Sequence, residues 1–272
     1  MAGAKTKTKA KKAPAKPKAT TPAHPVSQWL DVSTSAVGRH SLRVLAERDG
    51  SRASILDDLR ELVRGHYVDP KLTAKRIASL GAPKTAALLR EHVPTRKKAR
   101  SGDLGEVLAT ELAEQELQYD VPIRRLRWKD GREMALRGDD IIGVGRTNKD
   151  KLLLLKGESK SRATLSTAVL DEAGGALDSD RGRPTRHSVL FVAERLRELG
   201  EDDLAEELEE AVLASFRGIS VAHMLFVLTG GSPKNLLEAH LTGAAKKKRL
   251  RHAVGVRIKD HAKFIELLFG GL

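Results

Sequence analysis

The segment Leu152-Leu153-Leu154-Leu155-Lys156-Gly157-Glu158-Ser159-Lys160 constrains this chain more than any other. Four consecutive leucines leave no polar face, so the segment fits a β-strand covered on both sides rather than a half-solvated one. Such a strand needs helical layers above and below it. The flanking sequence offers them. Leu104, Val107, Leu108 and Leu112 recur at helical spacing over Ser101 to Glu116, with Ser101 or Asp103 placed to cap the start. Downstream, Leu165 to Leu177, Thr185 to Leu199 behind Pro184, and the acidic run Glu201 to Ala214 all read as helices. Val121, Ile123, Leu126 and Trp128 alternate, which predicts a strand turning at Lys129-Asp130-Gly131 into a second strand, Met134 to Val144. Ile219 to Leu228 and Ala253 to Ile258 read as further strands, and His261 to Phe269 as a closing helix. The order predicts an α/β domain over 96–272, with a central mixed sheet flanked by helices.

Residues 26–95 carry a different pattern. Leu56, Leu59, Leu62 and Val63 are spaced as on a helix, and Pro70 and Pro83 each precede another helical stretch. This predicts an N-terminal helical lobe. Residues 1–25 contain seven lysines and no acid, with nothing to bury, so a disordered basic tail is expected there. It either touches phosphates or simply solubilises the chain. Over the whole sequence 49 Lys and Arg exceed 36 Asp and Glu, for a net charge of +13. That excess implies a polyanionic partner, nucleic acid in the first instance. Two shorter basic clusters, Arg96 to Arg100 and Lys246 to Arg251, fit either a phosphate track or a solvated loop. Aromatic residues are only 3%, too few for a base-stacking platform. The absence of cysteine excludes disulfides, thiol catalysis and Cys-ligated metals. No apolar run is long enough to span a bilayer, and no signal-peptide core is seen, so a cytoplasmic protein with no membrane partner is expected.

The chemistry is concentrated between residues 138 and 160. Strand alternation puts Glu158 and Lys160 on one face. Asp140 stands where Gly138-Asp139-Asp140-Ile141-Ile142 passes from polar to apolar. If the two strands pair through the 146–150 turn, Asp140 comes near Glu158. Two close carboxylates are costly unless a cation joins them, and hard oxygen ligands suit Mg2+ or Mn2+. A lysine two residues on can orient water or stabilise charge on a phosphate. The same residues also fit two ordinary strand ends with solvated charges. The E-x-K pattern occurs once in the chain. The nine histidines show no zinc-site spacing, and Asp178, His187 and Ser188 have no triad spacing. Gly143-Val144-Gly145 lacks the helix of a dinucleotide loop, and Gly81-Ala82-Pro83-Lys84-Thr85 lacks the spaced glycines of a P-loop. ATP-driven movement on DNA, if needed, must come from another chain.

A helix bearing Glu106 in Gly102-Asp103-Leu104-Gly105-Glu106, then Asp140, then Glu158-Ser159-Lys160 on neighbouring strands, then a helix, resembles the PD-(D/E)xK nuclease superfamily. The resemblance covers roughly residues 100–230 and implies a restriction-endonuclease-like core. More narrowly, Gly105-Glu106, Val121-Pro122-Ile123, Arg137-Gly138-Asp139-Asp140 and Lys156 to Lys160 resemble the HamA family. HamA proteins are nuclease subunits of the Hachiman anti-phage system and work with a helicase partner. The resemblance implies a metal-dependent DNA endonuclease acting in defence. It implies that Asp140 and Glu158 bind Mg2+ or Mn2+. Lys160 would be the catalytic lysine, and Glu106 an accessory carboxylate on the metal. No proline precedes the motif aspartate, so Asp139 stays open as an alternative to Asp140. Two other readings also stay open: a non-catalytic basic DNA-binding protein, and an inactive nuclease-fold adaptor.

Overall fold

The computed structural model describes residues 24–244, 246 and 249–272. The expected basic tail, but for its last two residues, lies outside the described residues, as do Lys247 and Lys248 of the C-terminal cluster. The strands are β1 (Leu30–Val37), β2 (His40–Glu47), β3 (Ile141–Arg146), β4 (Leu152–Arg162), β5 (Ser220–Thr229) and β6 (Arg251–Arg257). They form one sheet in the order β1-β2-β6-β5-β4-β3. Its middle, β2-β6-β5-β4, is parallel, and the two edge strands β1 and β3 are antiparallel to their neighbours. The helices are α1 (Pro25–Trp29), α2 (Ser51–Tyr67), α3 (Pro70–Leu80), α4 (Ala82–Arg90), α5 (Lys97–Gln115), α6 (Thr167–Gly182), α7 (Arg186–Leu199), α8 (Asp202–Leu213), α9 (Lys234–Gly243) and α10 (His261–Gly270).

The leucine run is covered on both sides, as its composition demands. Leu155 faces a core shared with Leu104, Val107 and Leu108 of α5 and with residues of α2 and α10. Leu152 and Leu154 face the opposite core, with Val189 and Val192 of α7 and Leu208 of α8. Farther along that second face, α6 and α9 pack Leu170, Leu177 and Leu237 on Leu225, Val227 and Ala253. Each fully buried leucine contributes about 1.5–3 kcal/mol of transfer free energy, so the central strands and α5 hold the molecule together. The α/β sheet flanked by helices is the architecture expected from the sequence.

Two local expectations are corrected. Residues 26–95 are not helical throughout: β1 and β2 form a hairpin, with Val37 opposite His40 across a two-residue turn in which Gly38 takes φ +58°. The hairpin joins the main sheet by pairing Ser41–Ala46 of β2 with His252–Arg257 of β6. Its first strand is almost wholly exposed, so no hydrophobic alternation announced it. The second correction concerns Val121–Trp128, which forms no strand. Pro122 can donate nothing to a ladder, and Arg125–Trp128 is a 3-10 turn. Val121 and Leu126 enter one core while Ile123 enters the other. The alternation therefore records a segment wedged between two cores. Its one ladder contact pairs Asp120 with Val144, at 2.8 and 2.7 Å. The expected strand from Met134 shrinks to β3 alone, beginning at Ile141.

Candidate active site

Glu158 and Lys160 lie on β4 beyond its apolar half, and β4 pairs antiparallel with β3, Ile141 standing opposite Gly157. That register continues one step to set Asp140 against Glu158, so the two carboxylates share a face at the sheet's edge. Gly157 makes the approach of β3 possible: a Cβ there would stand 2.7 Å from that of Ile141. On the other face of the sheet, α5 also comes unusually near. A Cβ on Gly105 would meet Ser159 Oγ at 2.9 Å and Ser161 Cβ at 3.3 Å. Gly105 thus lets α5 settle onto β4 and carries the next residue, Glu106, to the same sheet edge.

The electrostatics of the three acids are linked. Burial raises the Asp140 carboxyl to about 7, and Glu158 adds to the rise. The backbone N–H of Ser159, donating to Asp140 Oδ2 at 2.9 Å, together with Arg125 and Lys160, works against it. Burial likewise raises Glu106 to about 8, with Asp140 and Asp103 adding repulsion. Asp140 therefore sits between two other acids, within reach of both fields. Lys160 Nζ lies 2.8 Å from Glu158 Oε1 and 2.9 Å from Glu172 Oε1 on α6. Burial alone would depress this ammonium, but the two carboxylates outweigh it and hold the lysine above its ordinary value.

Among the described residues no three Asp, Glu or His side chains are gathered into a ready-made ligand cage. The expected trio of Glu106, Asp140 and Glu158 is thus not a closed three-ligand set. Such an arrangement still suits Mg2+, which is commonly held by one or two carboxylates with water and substrate phosphate completing its shell. The donor chemistry fits as well: hard carboxylate oxygens, buried together and repelling one another.

The structure separates the two neighbouring aspartates. Asp139 is buried, and its carboxylate accepts from the Thr185 N–H at 2.7 Å and lies 3.4 Å from Lys156 Nζ. Its own N–H donates to Ser188 Oγ at 2.8 Å. Asp139 therefore ties the loop before β3 to the start of α7, whereas Asp140 faces Glu158. Ser188 belongs to this tie and to no triad. Gly138, at φ +98°, makes room for Ser188, which a side chain there would strike.

Sequence reasoning missed several residues that set this geometry. Arg125 is buried and donates to the carbonyls of Asp139 and, at 2.7 Å, Arg137, fixing the 137–139 loop from beneath. Lys156 is buried behind the site and donates to Ser179 Oγ at 3.0 Å. Lys129 lies 2.9 Å from Asp103 Oδ2, which also accepts from the Tyr67 hydroxyl at 2.6 Å, one turn ahead of Glu106. Lys156 was visible as a charge inside an apolar strand, a pattern that calls for a buried partner. Nothing in the sequence marked Arg125 or Lys129. Ser161 hydrogen-bonds Ser101 at 2.8 Å and His261 at 2.9 Å, pinning α5 and α10 to β4.

No helix among the described residues is long and apolar enough to cross a membrane. Comparison with known proteins finds a curated relative and a family model. The Hachiman protein HamA of Bacillus cereus is 29% identical over 150 residues, which are 55% of this chain. The matched segment covers 53% of that relative, so the similarity spans about half of its length. The HamA family model matches residues 25–272, from α1 to the last residue. The chain belongs to the HamA family.

Proposed function

We propose that this chain is a divalent-metal-dependent DNA nuclease, the effector of a Hachiman-type defence system, and that it works with a helicase partner. The observation that carries the reading is the nearness of Asp140 to Glu158, one step beyond the β3–β4 ladder, with Lys160 on the same face. Asp140 and Glu158 would hold Mg2+ or Mn2+, with Glu106 as a third, more distant carboxylate. When bound, the ion supplies charge to polarise a phosphodiester and to acidify water at neutral pH.

The chain's own residues prepare that chemistry. Asp140 is held in place by the Ser159 N–H, so its second oxygen is free to face the ion. Lys160 keeps its proton because Glu158 and Glu172 flank it, and it brings a fixed positive charge to a scissile phosphate. Glu106, raised to about 8, stands near neutral pH as a group able to hold or accept a proton at the site. The net charge of +13 suits a polyanionic substrate. The absence of a P-loop assigns any ATP-driven step to a partner chain.

The test is incubation of DNA with the protein, a candidate helicase partner and ATP, in Mg2+ or in EDTA. Wild type is expected to cut only with the metal, and Glu158→Ala or Lys160→Ala to lose at least about 100-fold in rate. Equal inactivity of wild type and Glu158→Ala, with partner and ATP present, would refute the reading.

A further inference from the structure

The carboxylate site leaves most of the positive charge unexplained. Across much of the surface arginines are matched to acids: Arg48 with Asp31, Arg52 with Glu47, Arg146 with Glu207 and Arg197 with Glu209. In one concave region the arginines have no such match. Where β4 and β5 begin, at the end of the sheet opposite Glu158, lies a concavity of about 580 Å³. Arg39, Arg183, Arg217 and Arg249 line it together with Tyr119 and Phe216, and no carboxylate does. Among the described residues none of these four arginines forms an ion pair.

The fold builds this cluster. Gly182, at φ +67°, leaves space for Arg249 to lie across the chain; a Cβ there would stand 2.9 Å from Arg249 Nε. Arg183 donates to the Ser215 carbonyl at 2.8 Å and Arg249 to the Arg181 carbonyl at 3.4 Å. Both are partly buried. Burial, and then the charge of Arg183, lowers the Arg249 guanidinium below its ordinary value, the mark of a cation without a counter-charge. A neighbouring hollow of about 300 Å³ shares Arg183 and Phe216 and adds Arg181 and Arg186, against the single acid Asp180. Guanidinium groups held apart from acids in a concave surface match phosphate oxygens, which they grip in pairs.

We propose that this arginine groove holds the sugar–phosphate backbone of DNA as an anchor remote from the reacting phosphate. The inference rests on DNA being the substrate under the function proposed above, and it adds where the chain grips it. Along β4 from Leu153 to Glu158 the rise of about 3.3 Å per residue makes about 17 Å, which matches about five nucleotide steps of one strand. A phosphate in the groove is therefore too far from Asp140 and Glu158 to be cut.

The experiment is binding of a short labelled DNA duplex to the full chain in EDTA, followed as a function of salt. Each lost phosphate contact should flatten the log–log slope by about 0.9. Arg39→Ala/Arg217→Ala, which removes two exposed side chains, should flatten it by about 1.8. Arg183→Ala/Arg249→Ala should do the same, with an unchanged circular dichroism spectrum. Arg146→Ala/Arg197→Ala, taken from acid-paired positions, should leave the slope as in wild type. Wild-type slope and affinity in both groove variants overturn the proposal. So does intact DNA binding in groove variants that no longer capture a protein partner. Because no metal is present, the outcome is independent of cleavage. An inert groove leaves the nuclease reading standing, and a flattened slope in a protein that never cuts supports the anchor alone.

Discussion

Replacing Asp140 by asparagine should stabilise the protein while removing its response to Mg2+. A free aspartate titrates near 3.8, and in the fold Asp140 is pushed to about 7 by burial and by Glu158. Between those values the folded state binds a proton that the unfolded chain has released. Stability therefore falls as pH rises from about 4 to about 7, and stays low above that. A gap of about three pH units corresponds to about 4 kcal/mol. Because Glu106 and Glu158 share the repulsion, relief at Asp140 alone is about half of that, about 2 kcal/mol. Asparagine is uncharged, and its carbonyl can still accept from the Ser159 N–H. For a chain of this size the gain should appear as a Tm higher by about 4–8 °C in EDTA at pH 8, shrinking towards pH 4. Added Mg2+ should raise the Tm of wild type and leave the variant unmoved. Asp139→Asn is the matched control. It strips the buried Lys156 of its carboxylate and should lower the Tm, since breaking such a pair costs about 3–5 kcal/mol. The reasoning fails if Asp140→Asn is less stable than wild type at pH 8, or if the difference does not depend on pH.

Two further outcomes follow from the packing. Gly105→Val should cost about 2 kcal/mol or more in urea unfolding, because its Cβ would crowd Ser159 and push α5 off β4; a midpoint equal to wild type would show that the helix does not press on the strand there. His223 is buried, donates to or accepts from nothing acidic at close range, and is lowered to about 4 chiefly by burial. Its contribution is intact above pH about 6.5 and is lost as pH falls towards 4. The loss is about 3 kcal/mol, seen by comparing denaturation at pH 7.5 and 4.5; His223→Gln should lessen the acid sensitivity, and an unchanged loss would argue against this residue.

The central half of the fold could be read from residues because it obeys local rules. The leucines of β4 and the apolar run of β5 admit no other covering than helices on both faces, and α5 shows its stripe plainly. Asp140, Glu158 and Lys160 were legible because a strand's period of two fixes which side chains share a face. The failures have different physical sources. In β1 only Leu30 is buried, so an edge strand with two wet faces has no pattern to show. β2 is held by β6, which begins more than 200 residues later in the chain, a pairing no local window contains. Val121–Trp128 misled in the other direction: burial in two cores gives the same alternation as a ladder. The supports of the site, Arg125, Lys129 and the Asp139–Lys156 tie, depend on where loops close, and charge alone did not reveal that. The arginine groove was equally hidden, since Arg39, Arg183, Arg217 and Arg249 come from four separate stretches.

The placement of β6 between β2 and β5 has a consequence for biosynthesis. Strands β3, β4 and β5 and their covering helices are made while the β1–β2 hairpin still has no neighbour to dock on. Only when β6 emerges can it lie between the two parts and join them into one sheet. A ribosome that stalls before β6 leaves an unjoined β5 edge and a stranded hairpin, both open to unwanted strand pairing. For a protein proposed to cut DNA, the sheet that carries the carboxylates thus stays incomplete until β6 is made.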